Sequence, residues 1–370
     1  MWSTHEGGVS ELTGATGLSK FSVTPGLPAD WDLSAGDGPA AARARWIRFG
    51  QSWYPGPYHT FALRDEHGAC KVAMGGTVLP SPAAVPRRDA YHILTGRMSH
   101  LGLFADGQHP WPSDLDPDTV HPCLMLMYPN YVTFPVGSQS ADPASLHQFV
   151  AELVAWARTE HIASIALLYL TREAEPLLAE LAAAGFTARP MGERCDLPVT
   201  WSDFDGYLRG LPKKYRDEAK REINRMDERG LVRSFRPLAP DEPELLDLRC
   251  QLIEKYDGSV DRGEQAAIFE MIREHVAAQD ITVFTVSKED SLLSFSLFIQ
   301  DGPEWTVMLI GSTYRDPDAA YGYFSCMFYQ PIEQASARGV ALLAYGYGSL
   351  DAKRRRGCQL FPYYAAELRF

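Results

Sequence analysis

The sequence has no excess of positive charge. Its 370 residues include 35 lysines and arginines against 47 aspartates and glutamates, which gives a formal net charge of −12. A protein that coats nucleic acid through bulk charge is usually basic overall. The composition therefore excludes that class of function, and any anionic partner has to be bound by a local basic patch.

Cysteine is also scarce, and no two cysteines stand at the spacing of a metal or disulfide motif. The six lie far apart in the sequence, at Cys70, Cys123, Cys195, Cys250, Cys326 and Cys358. Paired spacing is the feature that identifies zinc sites and disulfide frameworks. We therefore predict reduced thiols and no bound metal.

Long apolar segments are missing as well. The longest apolar run, residues 162–170, is interrupted by Ser164. It is far shorter than the roughly 20 residues that a membrane-spanning helix needs. The N-terminal MWSTHEGGVSE has neither the basic start nor the apolar core of a signal peptide. These features predict a cytoplasmic protein with no membrane contact.

The length and the order of the predicted elements indicate two domains after a short arm. Residues 1–40 are rich in Gly, Ser, Thr, Pro and Ala and have little periodicity, which is typical of an extended or flexible arm. A mixed pattern of helices and strands then occurs roughly twice, over residues 41–200 and 201–370. We therefore predict an α/β fold (α+β with mixed sheets) built from two tandem units.

The most informative segment that is present is a basic helix over residues 211–230, LPKKYRDEAKREINRMDERG. Pro212 suits the first turn of a helix and Gly230 suits its end. Four apolar residues recur at helical spacing and are predicted to face a core: Tyr215, Ala219, Ile223 and Met226.

The charge of this helix has two interpretations. Residues 209–236 contain ten basic residues against five acids, so positive charge is concentrated here within an acidic chain. One interpretation is a phosphate-binding surface. The other is a solvated helix stabilised by ion pairs, for example Asp217 with Arg221 and Glu222 with Arg225.

Several segments in a fixed order resemble a known enzyme family. They are WSDFDGYLRGLPKKYRDEAKREINR, the strand segment LLSFSLFIQDGPEWTVMLIG, the helix YFSCMFYQPIEQASARG and the C-terminal AYGYGSLDAKRRRGC. The second unit resembles a GNAT acyltransferase domain, and the tandem arrangement resembles the Fem-type aminoacyl transferases. The resemblance covers about residues 120–370. In relatives the last segment has a lysine followed by an Arg-Gly pair, and Lys353 and Arg356–Gly357 stand at those positions.

The resemblance implies transfer of an acyl group to an amine, from one of two donor classes. GNAT enzymes hold the pyrophosphate of an acyl-CoA on a glycine-spaced turn that opens a helix. The corresponding turns here, IGSTYRDPDAAYGYF and FPVGSQSADPASLHQF, lack those glycines and carry Asp316, Asp318 and Asp142 instead. We therefore expect an aminoacyl-tRNA donor and no cofactor, with an acyl-CoA or an acidic acyl carrier protein as the alternative.

The donor would be bound by basic residues of the two segments through phosphate contacts. The predicted donor-binding set is Lys213, Lys214, Arg216, Lys220, Arg221, Arg225, Arg354, Arg355 and Arg356. Lys353 is the candidate cation beside the oxyanion or the acceptor stem, with a surface lysine as the alternative reading. Asp351 and Tyr323 are the candidate bases; alternatively Asp351 caps a turn and Tyr323 faces the core.

The acceptor is predicted to be a small polar amine, such as an intermediate of a natural-product pathway. Tyr128, Asn130 and Tyr131 follow an apolar strand and would suit its pocket, since two aromatics and an amide fit a small polar molecule. A third reading is a catalytically inactive tandem domain that binds tRNA or protein. The sequence leaves this alternative open.

Overall fold

The computed structural model describes residues 19–370 except for residues 37, 52–55, 84–85, 99–101, 106–107 and 129–130. Residues 1–18 of the predicted arm therefore lie outside the described residues. The rest of the predicted arm contains regular structure, because Lys20–Pro25 is a strand that pairs with a neighbour in the sheet.

The chain divides into two compact units. The first comprises residues 1–193 with 361–370, and the second comprises residues 194–360. The sequence predicts a boundary at residues 200/201, whereas the division falls inside the strand Thr187–Pro198. The predicted second domain also extends to residue 370, but the last ten residues belong to the first unit.

The elements up to residue 198 include five strands of the first unit and a last strand in which the division between the units falls. In chain order they are β1 (Lys20–Pro25), α1 (Trp31–Ala35), α2 (Ala44–Gln51), β2 (Tyr58–Arg64), β3 (Cys70–Leu79), α3 (Ala90–Leu94), β4 (Cys123–Leu126), α4 (Pro143–Thr159), β5 (Ser164–Leu170), α5 (Glu175–Ala183) and β6 (Thr187–Pro198).

The elements from residue 204 onward follow a similar order, and the final strand lies mostly in the first unit. They are α6 (Phe204–Gly210), α7 (Lys213–Glu228), β7 (Leu231–Arg236), α8 (Pro243–Asp257), α9 (Arg262–His275), β8 (Ile281–Lys288), β9 (Ser291–Asp301), β10 (Glu304–Ser312), α10 (Ala319–Phe324), α11 (Gln330–Ala335), β11 (Leu342–Gly346), α12 (Leu350–Arg354) and β12 (Gln359–Arg369). A π-helical turn, Ser325–Tyr329, joins α10 to α11.

Both units have the same strand arrangement. The order in the first is β1-β2-β3-β4-β5-β12, and in the second it is β7-β8-β9-β10-β11-β6. The pairs are antiparallel except β4–β5 and β10–β11, which are parallel and are each connected by a crossover helix. The predicted tandem repeat of a mixed α/β unit is thus confirmed. The first unit is completed by β12 from the end of the chain, and the division falls inside β6, which explains why the boundary is not evident in the sequence.

The parallel strands separate toward their carboxyl ends. Pairing between β10 and β11 runs only from Glu304↔Leu342 to Thr306↔Ala344, although β10 continues to Ser312. The ladder between β4 and β5 likewise ends at Leu126↔Leu167. Ligands of open α/β sheets bind at the carboxyl ends of strands, so these two openings are the places to look for a site.

The core of the second unit includes the apolar face of the basic helix. Ala219 and Met226 are buried and Ile223 is partly buried against the same cluster, as the periodicity predicts. The opposite face of α7 is exposed. The sequence therefore determined correctly which side of this helix packs inward.

Glycine at position 311 allows α8 to pack on β10. A Cβ there would lie 2.7 Å from the Arg249 backbone nitrogen and 2.8 Å from the Leu248 carbonyl carbon. The backbone atoms of α8 cannot move away easily, because the helix is packed against the sheet. We predict that Gly311→Ala lowers the free energy of unfolding by about 1–3 kcal/mol, measured by urea denaturation. Gly210→Ala is the control, since no heavy atom lies within 4 Å of its Cβ. Equal stabilities of the two variants would contradict this account.

Candidate functional site

Lys353 holds the loop that follows β11. The residue is 4% exposed, and Nζ donates hydrogen bonds to the carbonyl oxygens of Tyr345 (2.8 Å), Gly346 (3.1 Å) and Tyr347 (2.8 Å). A lysine ammonium has three N–H donors, so all three are engaged. The sequence predicts Lys353 to be a cation beside the oxyanion. In the structure it is a buried clamp with no donor left for a substrate.

The loop clamped by Lys353 contains several left-handed residues. Gly346, Gly348 and Ser349 have φ angles of 64°, 81° and 49°. Glycine adopts this conformation freely, whereas a serine does so only at some cost. Such backbone strain concentrates at functional sites. Because the loop also lies at the carboxyl end of β11, where the parallel strands separate, we place it in the candidate site.

The two candidate bases differ in environment. The Asp351 side chain is 84% exposed and bonds to Arg354 at 3.1 Å, so the fold does not hold it against a substrate. Tyr323 is half-buried, and burial, with a contribution from Tyr256, raises its pKa to about 12. A phenol of that pKa stays protonated at neutral pH. Tyr323 can therefore donate a hydrogen bond, but it is unsuited to remove a proton.

Arg356 lies in the interior and pairs with the basic helix. Its Nη2 donates to both carboxylate oxygens of Glu222, at 3.0 and 2.8 Å, and its guanidinium lies 3.8 Å from the centre of the Phe324 ring. Tyr329 donates its hydroxyl hydrogen to the same carboxylate. Because Arg356 is 4% exposed, its predicted role as a phosphate contact is not compatible with this arrangement. The predicted pair of Glu222 with Arg225 is replaced by Glu222 with Arg356.

The remaining predicted donor-binding residues fall into two groups. The first group is engaged: Lys213 pairs with Asp217, Arg354 with Asp351, Arg355 with Glu218, and Arg225 donates to the Tyr321 hydroxyl. Asp217 thus pairs with Lys213 and not with Arg221 as predicted. Arg216, half-buried, has no ion pair among the described residues.

The second group forms the exposed basic surface of α7. It consists of Lys214, Lys220 and Arg221, whose side chains make no ion pair or hydrogen bond with any residue that the structure describes. Lys214 and Arg221 are seven residues apart and therefore lie on one side of the helix. The first turn of α7 contains no acid, and its N-cap, Pro212, offers no side-chain cap. We call Lys214, Lys220 and Arg221 the α7 basic surface.

Acidic side chains occupy the start of the helix that follows the central strand in each unit. Asp318 precedes α10, is buried, and accepts hydrogen bonds from Arg229 and from Lys288 at 2.8 Å. The Lys288 hydrogen bond, opposed by burial and assisted by Arg229, lowers the pKa of Asp318. Asp142 caps α4 by accepting from the Ser145 N–H at 2.9 Å. The N-terminus of α4, which would otherwise attract an anion, therefore already holds a carboxylate, whereas the Asp318 carboxylate, at the N-cap position of α10, bonds to side chains and not to the helix N–H groups.

The predicted acceptor residues lie where β4 and β5 separate. Tyr128 is buried, and its hydroxyl has no hydrogen-bond partner among the described residues. Tyr131 has a left-handed backbone, with φ of 57°, and its ring centroid is 5.1 Å from that of Tyr169. Asn130 lies outside the described residues. The structure thus brings Tyr128 and Tyr131 to the opening of the first unit.

A cleft that the sequence did not indicate lies beside α6 in the second unit. It has a volume of about 410 Å³ and is lined by the end of β6, by Gly206, Tyr207 and Gly210 of α6, and by Gly357 and Gln359. The glycine pair in GYLRG leaves one side of α6 without side chains. That spacing is the signal from which the cleft could have been predicted.

No group of three or more His, Cys, Asp or Glu residues within the described parts of the chain is arranged to hold a metal ion. All six cysteines are buried free thiols. No helix of the described residues is long and apolar enough to cross a membrane.

The chain is similar to known proteins in sequence over one region and in fold over most of its length. Residues 213–354 match the family model for the acetyltransferase (GNAT) domain. The structure is similar to that of FemX, at 11% identity and a TM-score of 0.57 over 91% of this chain and 94% of that one. It is also similar to a tandem GNAT protein from the clavulanic acid biosynthesis pathway, at 12% identity and a TM-score of 0.51 over 94% and 98%.

A third similar structure is a conserved protein of unknown function from Bacteroides thetaiotaomicron VPI-5482, at 14% identity and a TM-score of 0.52 over 92% of each chain. No curated protein matches this sequence. At these identities the structural similarities establish a shared fold. The family match establishes an acyltransferase domain within the second unit.

The hydrogen bonds of Lys353 imply a structural role that can be measured. Lys353→Met keeps most of the side-chain volume but leaves one buried and two part-buried carbonyls without their donor. We predict a loss of about 3 kcal/mol in the free energy of unfolding, measured by urea denaturation. Lys214→Met, at an exposed position of α7, is the control and should change stability by less than about 0.5 kcal/mol. If both variants were as stable as the parent protein, Lys353 would not be a clamp.

The pairing of Asp318 implies a pH dependence of stability. Because its pKa is lowered on folding, the carboxylate adds stability above its unfolded pKa of about 3.9, and that stability is lost as pH falls through the lower folded value. We predict that Asp318→Asn is less stable than the parent protein at pH 7, with a smaller difference at pH 2–3. The measurement is the urea midpoint against pH. Asp290→Asn, in the exposed turn after β8, is the control; a difference for Asp318→Asn that does not depend on pH would refute the prediction.

Proposed function

We propose that this chain, a tandem GNAT protein of the Fem-like type with an acyltransferase domain in its second unit, transfers an aminoacyl group from aminoacyl-tRNA to a small-molecule amine. A role in natural-product biosynthesis is part of the proposal. The observation that carries it is the α7 basic surface, an exposed group of cations in a protein of net charge −12. No cofactor is needed for this reaction.

The acids at the helix N-termini favour tRNA over acyl-CoA. A pyrophosphate that approached the start of α10 or α4 in the usual GNAT manner would meet Asp318 or Asp142. Both carboxylates already use the local donors. Like charges at short distance oppose binding, so the usual acyl-CoA site is disfavoured in both units.

The orientation of α7 favours an extended polyanion. Glu218 and Glu222 pair with Arg355 and Arg356 on the inner side of the helix, and this leaves Lys214, Lys220 and Arg221 directed to solvent. Phosphates of an RNA backbone suit such a row of cations, and the uncapped first turn of α7 adds a favourable dipole. These pairs place two of the five acids of this segment inward, whereas Asp227 and Glu228 stay exposed.

The reaction itself can depend mostly on positioning. The amine nitrogen attacks the ester carbonyl carbon, the ester C–O bond breaks, and the terminal ribose hydroxyl leaves with a proton that the amine has lost. Holding the two reactants together supplies several kcal/mol of the required acceleration. In this mechanism Lys353 contributes by fixing the loop after β11, and the protonated Tyr323 is available as a hydrogen-bond donor. The acceptor is proposed to bind at the opening of the first unit, where Tyr131 is partly exposed, because the buried Tyr128 offers no surface to a ligand.

The second candidate is an acyltransferase that uses an acyl carrier protein or an acyl-CoA bound in another way. The α7 basic surface supports it, because carrier proteins are acidic and would also be attracted. A third candidate is an inactive binding module. It is favoured by the engagement of the Lys353 ammonium and by the exposure of Asp351, which leave neither in a catalytic position.

The proposed donor can be tested by the salt dependence of tRNA binding. We predict that the triple variant Lys214→Gln, Lys220→Gln, Arg221→Gln binds aminoacyl-tRNA more weakly, with a slope of log K against log salt that is smaller by roughly 2–3. Filter binding across a range of salt concentrations measures both quantities.

The control for this test removes the same charge elsewhere. Arg158, Arg172 and Arg189 are exposed in the first unit, and the triple variant with glutamine at these positions should keep the parent slope. An unchanged slope in the α7 variant, with tight tRNA binding, would show that another surface binds the RNA. No tRNA binding by the parent protein, together with binding of carrier protein or CoA, would favour the second candidate.

A further inference from the structure

Two exposed tyrosines lie at the opening of the second unit and have no role in the proposed function so far. Tyr256, in the last turn of α8, is 69% exposed, and Tyr314, two residues after β10, is 44% exposed. Aromatic rings usually contribute buried area to a core or an interface. Tyr314 also follows the strand end at which β10 and β11 have separated, so the pair lies beside the candidate site.

The two tyrosines form one cluster with a cation. Lys255 Nζ lies 3.8 Å from the centre of the Tyr314 ring and 5.5 Å from that of Tyr256. Burial, together with the neighbouring Tyr256 and Tyr323 hydroxyls, raises the pKa of Tyr314 to about 12. The hydroxyls thus converge, while Lys255 covers one face of the Tyr314 ring. The ring of Tyr256 stays largely open to solvent.

Helix α10 connects this cluster to the basic helix. Tyr321 lies 5.9 Å from the Arg225 guanidinium and 5.4 Å from that of Arg229. Tyr256 contributes to the raised pKa of Tyr323, two residues further along. A ligand that follows the basic residues of α7 can therefore continue over α10 to the tyrosine pair.

An exposed aromatic ring next to an ammonium suits a nucleotide. The base stacks on the ring, with about 1–3 kcal/mol per base, and the ammonium attracts the phosphate of the same nucleotide. Stacking needs no sequence-specific hydrogen bonds, which fits a surface that offers mainly ring faces. An apolar ligand would leave the charge of Lys255 without a partner.

We propose that Tyr256 and Tyr314 form a stacking platform for the adenine of the acyl donor, with Lys255 binding the adjacent phosphate. The proposal rests on the proposed function, since it assigns part of the donor to these side chains. Adenine occurs in both donor classes, as the 3′-terminal base of tRNA and as the base of CoA. The shared chemistry is an adenine nucleotide, and the experiment distinguishes its two sources.

The first arm uses a fluorescently labelled RNA hairpin with a single-stranded 3′ CCA end, read by anisotropy. We expect Tyr256→Leu to weaken binding by about 5- to 150-fold, because a stacked base is lost. Tyr256→Phe, which keeps the ring, should bind within about 3-fold of the parent protein. Removing the 3′-terminal base from the hairpin should weaken binding to the parent but not weaken it further for Tyr256→Leu.

The second arm repeats the comparison with CoA by titration calorimetry, and it separates the two proposals. If the parent binds only CoA and Tyr256→Leu weakens that binding, the proposed stacking platform is supported and the proposal of a tRNA donor is wrong. If the hairpin binds through the α7 basic surface but Tyr256→Leu binds it as tightly as the parent does, the proposal of a tRNA donor is supported and the proposed stacking platform is wrong. Absence of binding of either ligand to the parent, or equal losses for the Phe and Leu variants, would also overturn the platform.

Discussion

The buried ion pair between Arg356 and Glu222 is the interaction on which the basic surface of the second unit depends. The guanidinium binds both carboxylate oxygens and stacks on Phe324, and Tyr329 adds a hydrogen bond to the same carboxylate. Removing one partner of such a buried pair commonly costs about 3–5 kcal/mol. The pair holds Glu222 on the inner side of α7, while Lys214, Lys220 and Arg221 face solvent.

In acyl-CoA enzymes of the usual GNAT type, a helix N-terminus binds the pyrophosphate. The charges of this protein are arranged differently. The helix N-termini that follow the central strands hold Asp318 and Asp142, whereas exposed cations lie along the side of α7. Both features support the proposal of a donor whose phosphates lie along α7 and not at the turns. The exposed tyrosines beside β10 extend that second surface with rings suited to stacking.

The sequence predicted more of the fold than of the site. The repeated mixed α/β unit, the buried face of α7 and the acids at the two turns are all present in the structure. The domain boundary was less predictable, because β12 completes the first unit from the end of the chain and the division falls inside β6, and no local pattern encodes this arrangement. Lys353 was recognisable as a distinctive residue, yet burial and three carbonyl partners assign it a structural role.

Local composition by itself determined that α7 is helical, amphipathic and basic in an acidic chain, because helical spacing and charge are properties of neighbouring residues. Only the tertiary structure decided which of its charges are available. The sequence predicts that Glu222 pairs with Arg225, whereas in the structure it pairs with Arg356, 134 residues away. Tyr256 and Tyr314 meet over Lys255 for the same reason: packing of α8 on β10 brings together residues that the sequence keeps apart.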